Sequence, residues 1–167
     1  LLGDDYDAIA ENMKKGIGFF LPGFHGTEEE GLRNIVDNQL SPSPLARSAF
    51  AEKALENAGR IGATQYILLA AGYDSFAYRQ PDWAQKLQIF EVDLPDTSRD
   101  KARRVEGCGW EKPKNLNNVE GDLLQSDWVN VLQSLPTFSS QRISFCSMLG
   151  FSYYVDKEAF ASLLHIL

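Results

Sequence analysis

Cysteine is nearly absent from this 167-residue sequence: Cys108 and Cys146 stand alone, far from any spacing of metal ligands or paired disulfides. Histidine is as scarce, with His25 in a Gly-rich stretch and His165 near the end, and neither is a good catalytic candidate. No apolar run approaches the ~18–20 residues of a membrane span, and the N-terminus lacks the basic-then-apolar order of a signal segment. Positive charge is in deficit, with 16 Lys and Arg against 23 Asp and Glu, a net charge of −7. The densest basic cluster, Arg99, Lys101, Arg103 and Arg104, is diluted by Asp100 and Glu106, which argues against a nucleic-acid or membrane-surface role. What is left is a reduced, soluble, cytoplasmic enzyme or binding domain. A single domain fits the length, with roughly 68–70% of the unfolded surface available for burial.

The chain opens on Leu1 rather than Met. Its last segment, Asp156 to Leu167, reads as a helix with Asp156 as N-cap and Phe160, Leu163, Leu164 and Leu167 on one face, yet no Gly, Asn or Pro stop follows. We read the sequence as a piece of a longer protein, cut after a fourth strand.

Residues 1–60 read as a helical segment belonging to the same domain as the rest. A helix is expected over Asp4–Lys15, a surface loop over the Gly- and aromatic-rich Gly16–Gly26, and a second helix behind the capping-box pattern of Thr27 and Glu30. Ser41 to Pro44 reads as a break, with Pro44 in the first turn of a helix that runs to Ala58 and stops at Gly59. From 61 to 167 the pattern becomes strand, turn, helix. Tyr66–Ala71 is an apolar run without polar alternation, as expected of a strand buried on both faces. Gln88–Asp93, Leu116–Glu120 and Arg142–Met148 read as three more strands, separated by helices over Pro95–Cys108 and Ser126–Leu135. Alternating strands and helices predict a Rossmann-like α/β fold, a doubly wound, mainly parallel sheet with helices on both faces and an N-terminal helical extension.

Ligands of such sheets bind outside the carboxyl ends of the strands, where the strand order reverses. After the first strand comes Ala70-Ala71-Gly72-Tyr73-Asp74, whose small residues allow a ligand close to the backbone, although alone it reads as an ordinary βα turn. The second strand ends in Glu91-Val92-Asp93. Asp93 lies 21 residues past Gly72, close to the spacing at which nucleoside sites place a carboxylate for the ribose hydroxyls. Glu91 and Asp93 share a strand face, so either qualifies, and both also read as solvated strand-end charges. After the third strand, Asp122 can accept from the exocyclic amine of an adenine while Leu123 packs on its ring; by itself Asp122 reads as an N-cap.

Taken together, these segments are specific. QYILLAAGYDSFAYR, from Gln65 to Arg79, resembles the first motif of the leucine carboxyl methyltransferase-like family of class I methyltransferases. FEVDLP, from Phe90 to Pro95, with Lys101 six residues on, resembles its second motif, Gly121-Asp122-Leu123 its adenine step, and Ser147–Tyr154 its segment after strand four. The resemblance covers about Leu45 to Leu167. It implies S-adenosylmethionine as cofactor and a strand order of third, second, first, fourth. It further implies methyl transfer to a carboxylate or hydroxyl oxygen of a small-molecule or peptide acceptor. Arg47 is implied to reach the cofactor's carboxylate, a task that suits a bidentate guanidinium; a solvated helix charge is the plainer reading of it. Ala70, Phe76 and Leu149 depart from the family's usual Gly, Arg and acid. An NAD-dependent oxidoreductase would use the same crevice, but the G-x-G-x-x-G turn that receives a pyrophosphate is missing. The other reading is a catalytically inactive cofactor-binding fragment.

Overall fold

The computed structural model describes residues 5–167, in two compact units that divide between Phe50 and Ala51. The expected helix start at Asp4 lies outside the described residues. The first unit holds α1 (Asp5–Lys15), α2 (Ile17–Phe20), α3 (Glu28–Ile35) and the first turns of α4 (Pro42–Arg60). Thr27 caps α3 as a capping box: Glu30 N donates to Thr27 Oγ1 at 3.2 Å, and Thr27 N donates to Glu30 Oε2 at 2.8 Å. Part of the stretch expected as loop is helical instead, because α2 packs on α3 where Gly31 leaves room. A Cβ at Gly31 would lie 2.9 Å from Ile17 Cδ1.

The break expected at 41–44 is also shorter than anticipated. A π-helical turn, Val36–Leu40, carries the chain from α3 almost directly into α4. Pro42 and Pro44 both fall in the first turn of α4, where an amide hydrogen has no intrahelical partner to lose. At its other end α4 passes Gly59 and stops through Gly62, at φ +111°. Ala63 N donates to Ala58 O and Gly62 N to Gly59 O, the paired bonds of a Schellman stop.

The second unit is a four-stranded parallel sheet in the order β3 (Leu116–Glu120), β2 (Gln88–Asp93), β1 (Gln65–Leu69), β4 (Ser144–Met148). The fold is Rossmann-like α/β. Every residue of β1 is buried, as its unbroken apolar run requires of a strand covered on both faces. One face packs Tyr66, Leu68, Ile89 and Leu116 with Leu55 of α4 and Phe76. The other packs Ile67, Leu69, Phe90, Val92 and Val119 against Trp128 and Leu132 of α6 (Asp127–Ser134) and Leu163 of α7 (Lys157–Ile166). Each such side chain, fully buried, contributes roughly 1.5–3 kcal/mol. Asp156 caps α7 by accepting from Ala159 N at 2.7 Å. Since β2 and β3 lie on one side of β1 and β4 on the other, the strand order reverses between β1 and β4. No helix among the described residues is long and apolar enough to cross a membrane.

Candidate functional site

β1 ends two residues earlier than its apolar run suggests, because the backbone leaves extended geometry at Ala70, with φ +51°. Gly72 follows at φ +48°. An alanine in the left-handed region crowds its own Cβ against the backbone, at about 1–2 kcal/mol. Gly72 carries no such strain, and the space its Cβ would occupy is open apart from Ala70 O at 4.0 Å. The turn closes through Asp74 N to Ala71 O at 2.9 Å, and Asp74 Oδ1 accepts from Phe76 N at 2.7 Å. Replacing Ala70 by Gly should therefore raise stability by about 0.5–1 kcal/mol, strain relief outweighing the added chain entropy. Urea denaturation of the two proteins reads that difference directly.

The two acids of β2 share a face but occupy different chemical settings. Glu91 is 3% exposed, and its Oε2 lies 2.7 Å from Nζ of Lys101, itself 3% exposed, on α5 (Pro95–Gly107). Burial pushes the Glu91 carboxyl above its ordinary value, and the charge and hydrogen bond of Lys101 oppose that push. Thus Glu91, expected as one of two candidates for the crevice, is enclosed and committed to Lys101. Asp93 sits at the rim, partly exposed. Its Oδ2 accepts from Gly72 N at 2.6 Å and its Oδ1 from Leu94 N at 2.8 Å. A carboxylate oxygen has two lone pairs, so each retains one for a hydroxyl donor.

The loop after β3 is joined to the same residue, for Gly121 N donates to Asp93 O at 2.9 Å. Gly121 has no room for a side chain: a Cβ there would stand 2.5 Å from Trp128 Cβ. Asp122 does not cap α6, whose N-cap is Ser126; instead its Oδ1 accepts from Leu124 N at 2.9 Å. Leu123 is 5% exposed within the second core cluster, so its side chain anchors the loop to the core. Ala70, Gly72, Asp93 and Asp122 thus all lie where the carboxyl ends of adjacent strands open. Arg47 lies on α4 within the first unit. His25 and His165 are both exposed.

Where the family's usual Arg is replaced, Phe76 is buried, with its ring 5.4 Å edge-on from that of Tyr66. Two features escaped the reading of the sequence. Arg79 grips Glu52 with both terminal nitrogens, at 3.1 and 2.5 Å. Tyr73, next to Gly72, donates its hydroxyl to Asp100 on α5. Both pairs span 27 residues, beyond the reach of local periodicity.

Known proteins resemble this chain over most of its length. YktD of Bacillus subtilis, whose name assigns it to the S-adenosyl-L-methionine-dependent methyltransferases, is 36% identical over 160 residues, covering 93% of this chain and 52% of that protein. A similarly named protein of Mycolicibacterium paratuberculosis is 26% identical over 144 residues, 86% of this chain and 53% of its own length. The chain therefore spans about half the length of the curated relatives it matches. A crystal structure from Methanococcus maripaludis, described as an S-adenosyl-L-methionine-dependent methyltransferase, aligns with a TM-score of 0.45 at 15% identity, covering 95% of this chain and 57% of that one. The sequence profile of the leucine carboxyl methyltransferases matches residues 16–167, and the chain belongs to that family.

Proposed function

We propose that this chain forms the S-adenosylmethionine-binding part of a methyltransferase that methylates a carboxylate or hydroxyl oxygen on a small molecule or peptide. The observation that carries this reading is the pairing of Gly72 and Asp93: a turn left open at Gly72, which has no Cβ and whose amide holds a rim carboxylate 21 residues further along. Asp93 would accept the two ribose hydroxyls on its remaining lone pairs, a charged and bidentate contact. Gly72 and Ala70 would let the methionine part lie against the backbone. Asp122 would take the adenine amine, while Leu123 holds its loop to the core. The resemblance assigns Arg47 to the cofactor's carboxylate. Glu91 is left out of the contact set because it is enclosed with Lys101.

When bound, the cofactor supplies a methyl group made electrophilic by its sulfonium. A carboxylate acceptor is already a nucleophile and needs no general base, so alignment at ~3–3.5 Å supplies much of the rate. The task of Ala70, Gly72, Asp93 and Asp122 is then to bind and orient. Calorimetric titration with S-adenosylhomocysteine and, separately, with NAD tests the reading. Heat is expected with the first alone. Heat with NAD alone would favour a hydride-transferring enzyme, and heat with neither would leave an inactive remnant.

A further inference from the structure

The turn that carries Gly72 is costly to hold. Ala70 and Gly72 both lie at positive φ, and one of them has a Cβ. Strained backbone persists only where the surroundings over-determine it. Part of that restraint comes from β2, through Ala71 N to Val92 O at 3.3 Å and Gly72 N to Asp93 Oδ2 at 2.6 Å. A further tie reaches from the next residue to α5. The Tyr73 hydroxyl donates to Asp100 Oδ2, an oxygen that also receives Arg104 Nε at 2.6 Å, while Arg103 bonds Asp100 Oδ1. The Arg104 guanidinium lies 5.4 Å from the centre of the Tyr73 ring, so the ring is held as well as the hydroxyl. These contacts, the tyrosine hydrogen bond foremost, keep the Asp100 carboxyl well below its usual range, hence ionised and available as an acceptor.

α5 begins at Pro95, two residues after Asp93. Two neighbouring residues of the turn are therefore tied to two points on one β2–α5 segment, Gly72 to the strand end and Tyr73 to the helix. We propose that Tyr73 and Asp100 form a latch that sets the Gly72–Asp93 geometry, and so act as positioning residues for the cofactor. The role in cofactor affinity rests on the function proposed above; the restraint on the turn does not. Tyr73 is 44% exposed and Asp100 partly so, and a surface latch can be opened without emptying the core.

Tyr73→Phe keeps the ring on Arg104 and removes only the hydroxyl, and Asp100→Asn removes the charge. Each should weaken S-adenosylhomocysteine binding about fivefold, the worth of one modest hydrogen bond, with the melting temperature almost unchanged. The double variant should be no weaker than the worse single one, since the two groups act as a unit. Hydrogen exchange at the Gly72 amide should quicken in both single variants, a local change that a purely structural surface contact would not produce. Unchanged affinity together with unchanged Gly72 exchange would overturn the latch. If the parent protein binds no S-adenosylhomocysteine, the proposed function fails, while Gly72 exchange still decides the latch.

Discussion

Replacing Lys101 by Met should lower unfolding stability by about 3–5 kcal/mol, because it leaves the buried Glu91 carboxylate without its counter-charge. Glu91 Oε2 bonds Lys101 Nζ, and its Oε1 is enclosed with no hydrogen-bond partner among the described residues, so little else compensates the charge. The paired change Glu91→Leu with Lys101→Met should recover most of the loss, since a well-packed apolar pair is often as stable as a buried ion pair. Urea unfolding of the three proteins measures both effects. A small loss in the single variant would mean that water reaches the carboxylate.

The same pair sets a pH dependence with a definite sign. Burial raises the folded-state value of Glu91 above its ordinary 4.5, so the folded protein holds this proton more tightly than the unfolded chain does. Stability from that proton is fully present below the unfolded value and is lost as pH rises through the folded one. Without Lys101 to oppose the shift, the deficit of the Lys101→Met variant should therefore narrow as pH falls from about 7.5 to about 5. A deficit independent of pH would locate the loss in packing rather than in charge.

Asp93→Ala should weaken S-adenosylhomocysteine binding by about 2–3 kcal/mol, roughly 30–150-fold, the scale for losing charged hydrogen bonds. The variant also leaves Gly72 N and Leu94 N without their acceptor, so the turn loosens along with the contact. Asp122→Ala should cost less, because water can replace a single amine contact. Calorimetry on both variants gives the ranking. Wild-type affinity in Asp93→Ala would remove the ribose from this strand altogether, since Glu91 is enclosed.

Strands were the most legible part of the chain. An unbroken run such as Tyr66–Leu69 has one comfortable environment, and Gln88–Asp93, buried at its four inner positions, sends alternate side chains to opposite faces as any strand does. Alternation has no depth, however. It places Glu91 and Asp93 on one face and says nothing of Lys101, ten residues further on, that claims the inner of the two. Helix ends were ambiguous for a related reason. Gly59 and Gly62 carry the same local signal, and only the bonds made by Ala63 and Gly62 decide between them. The Tyr73–Asp100 tie joins two elements that no periodicity relates. The rim acids and Gly72 were readable through motif spacing, which is chemistry recorded along the chain; their partners are recorded across it.

Asp93 occupies a further position in this network. Its side chain receives the amide of the loop after β1, and its main-chain carbonyl receives that of the loop after β3. One residue thereby couples the two loops against which the proposed function sets the cofactor's amino-acid tail and its base. A ligand that engages both loops tightens a single shared hinge, whereas a fragment touching one loop must order it alone. On the proposed function, adenine and methionine offered separately should bind far more weakly than their joined form, and the protein would discriminate whole cofactor from its breakdown pieces by connectivity rather than by any added contact.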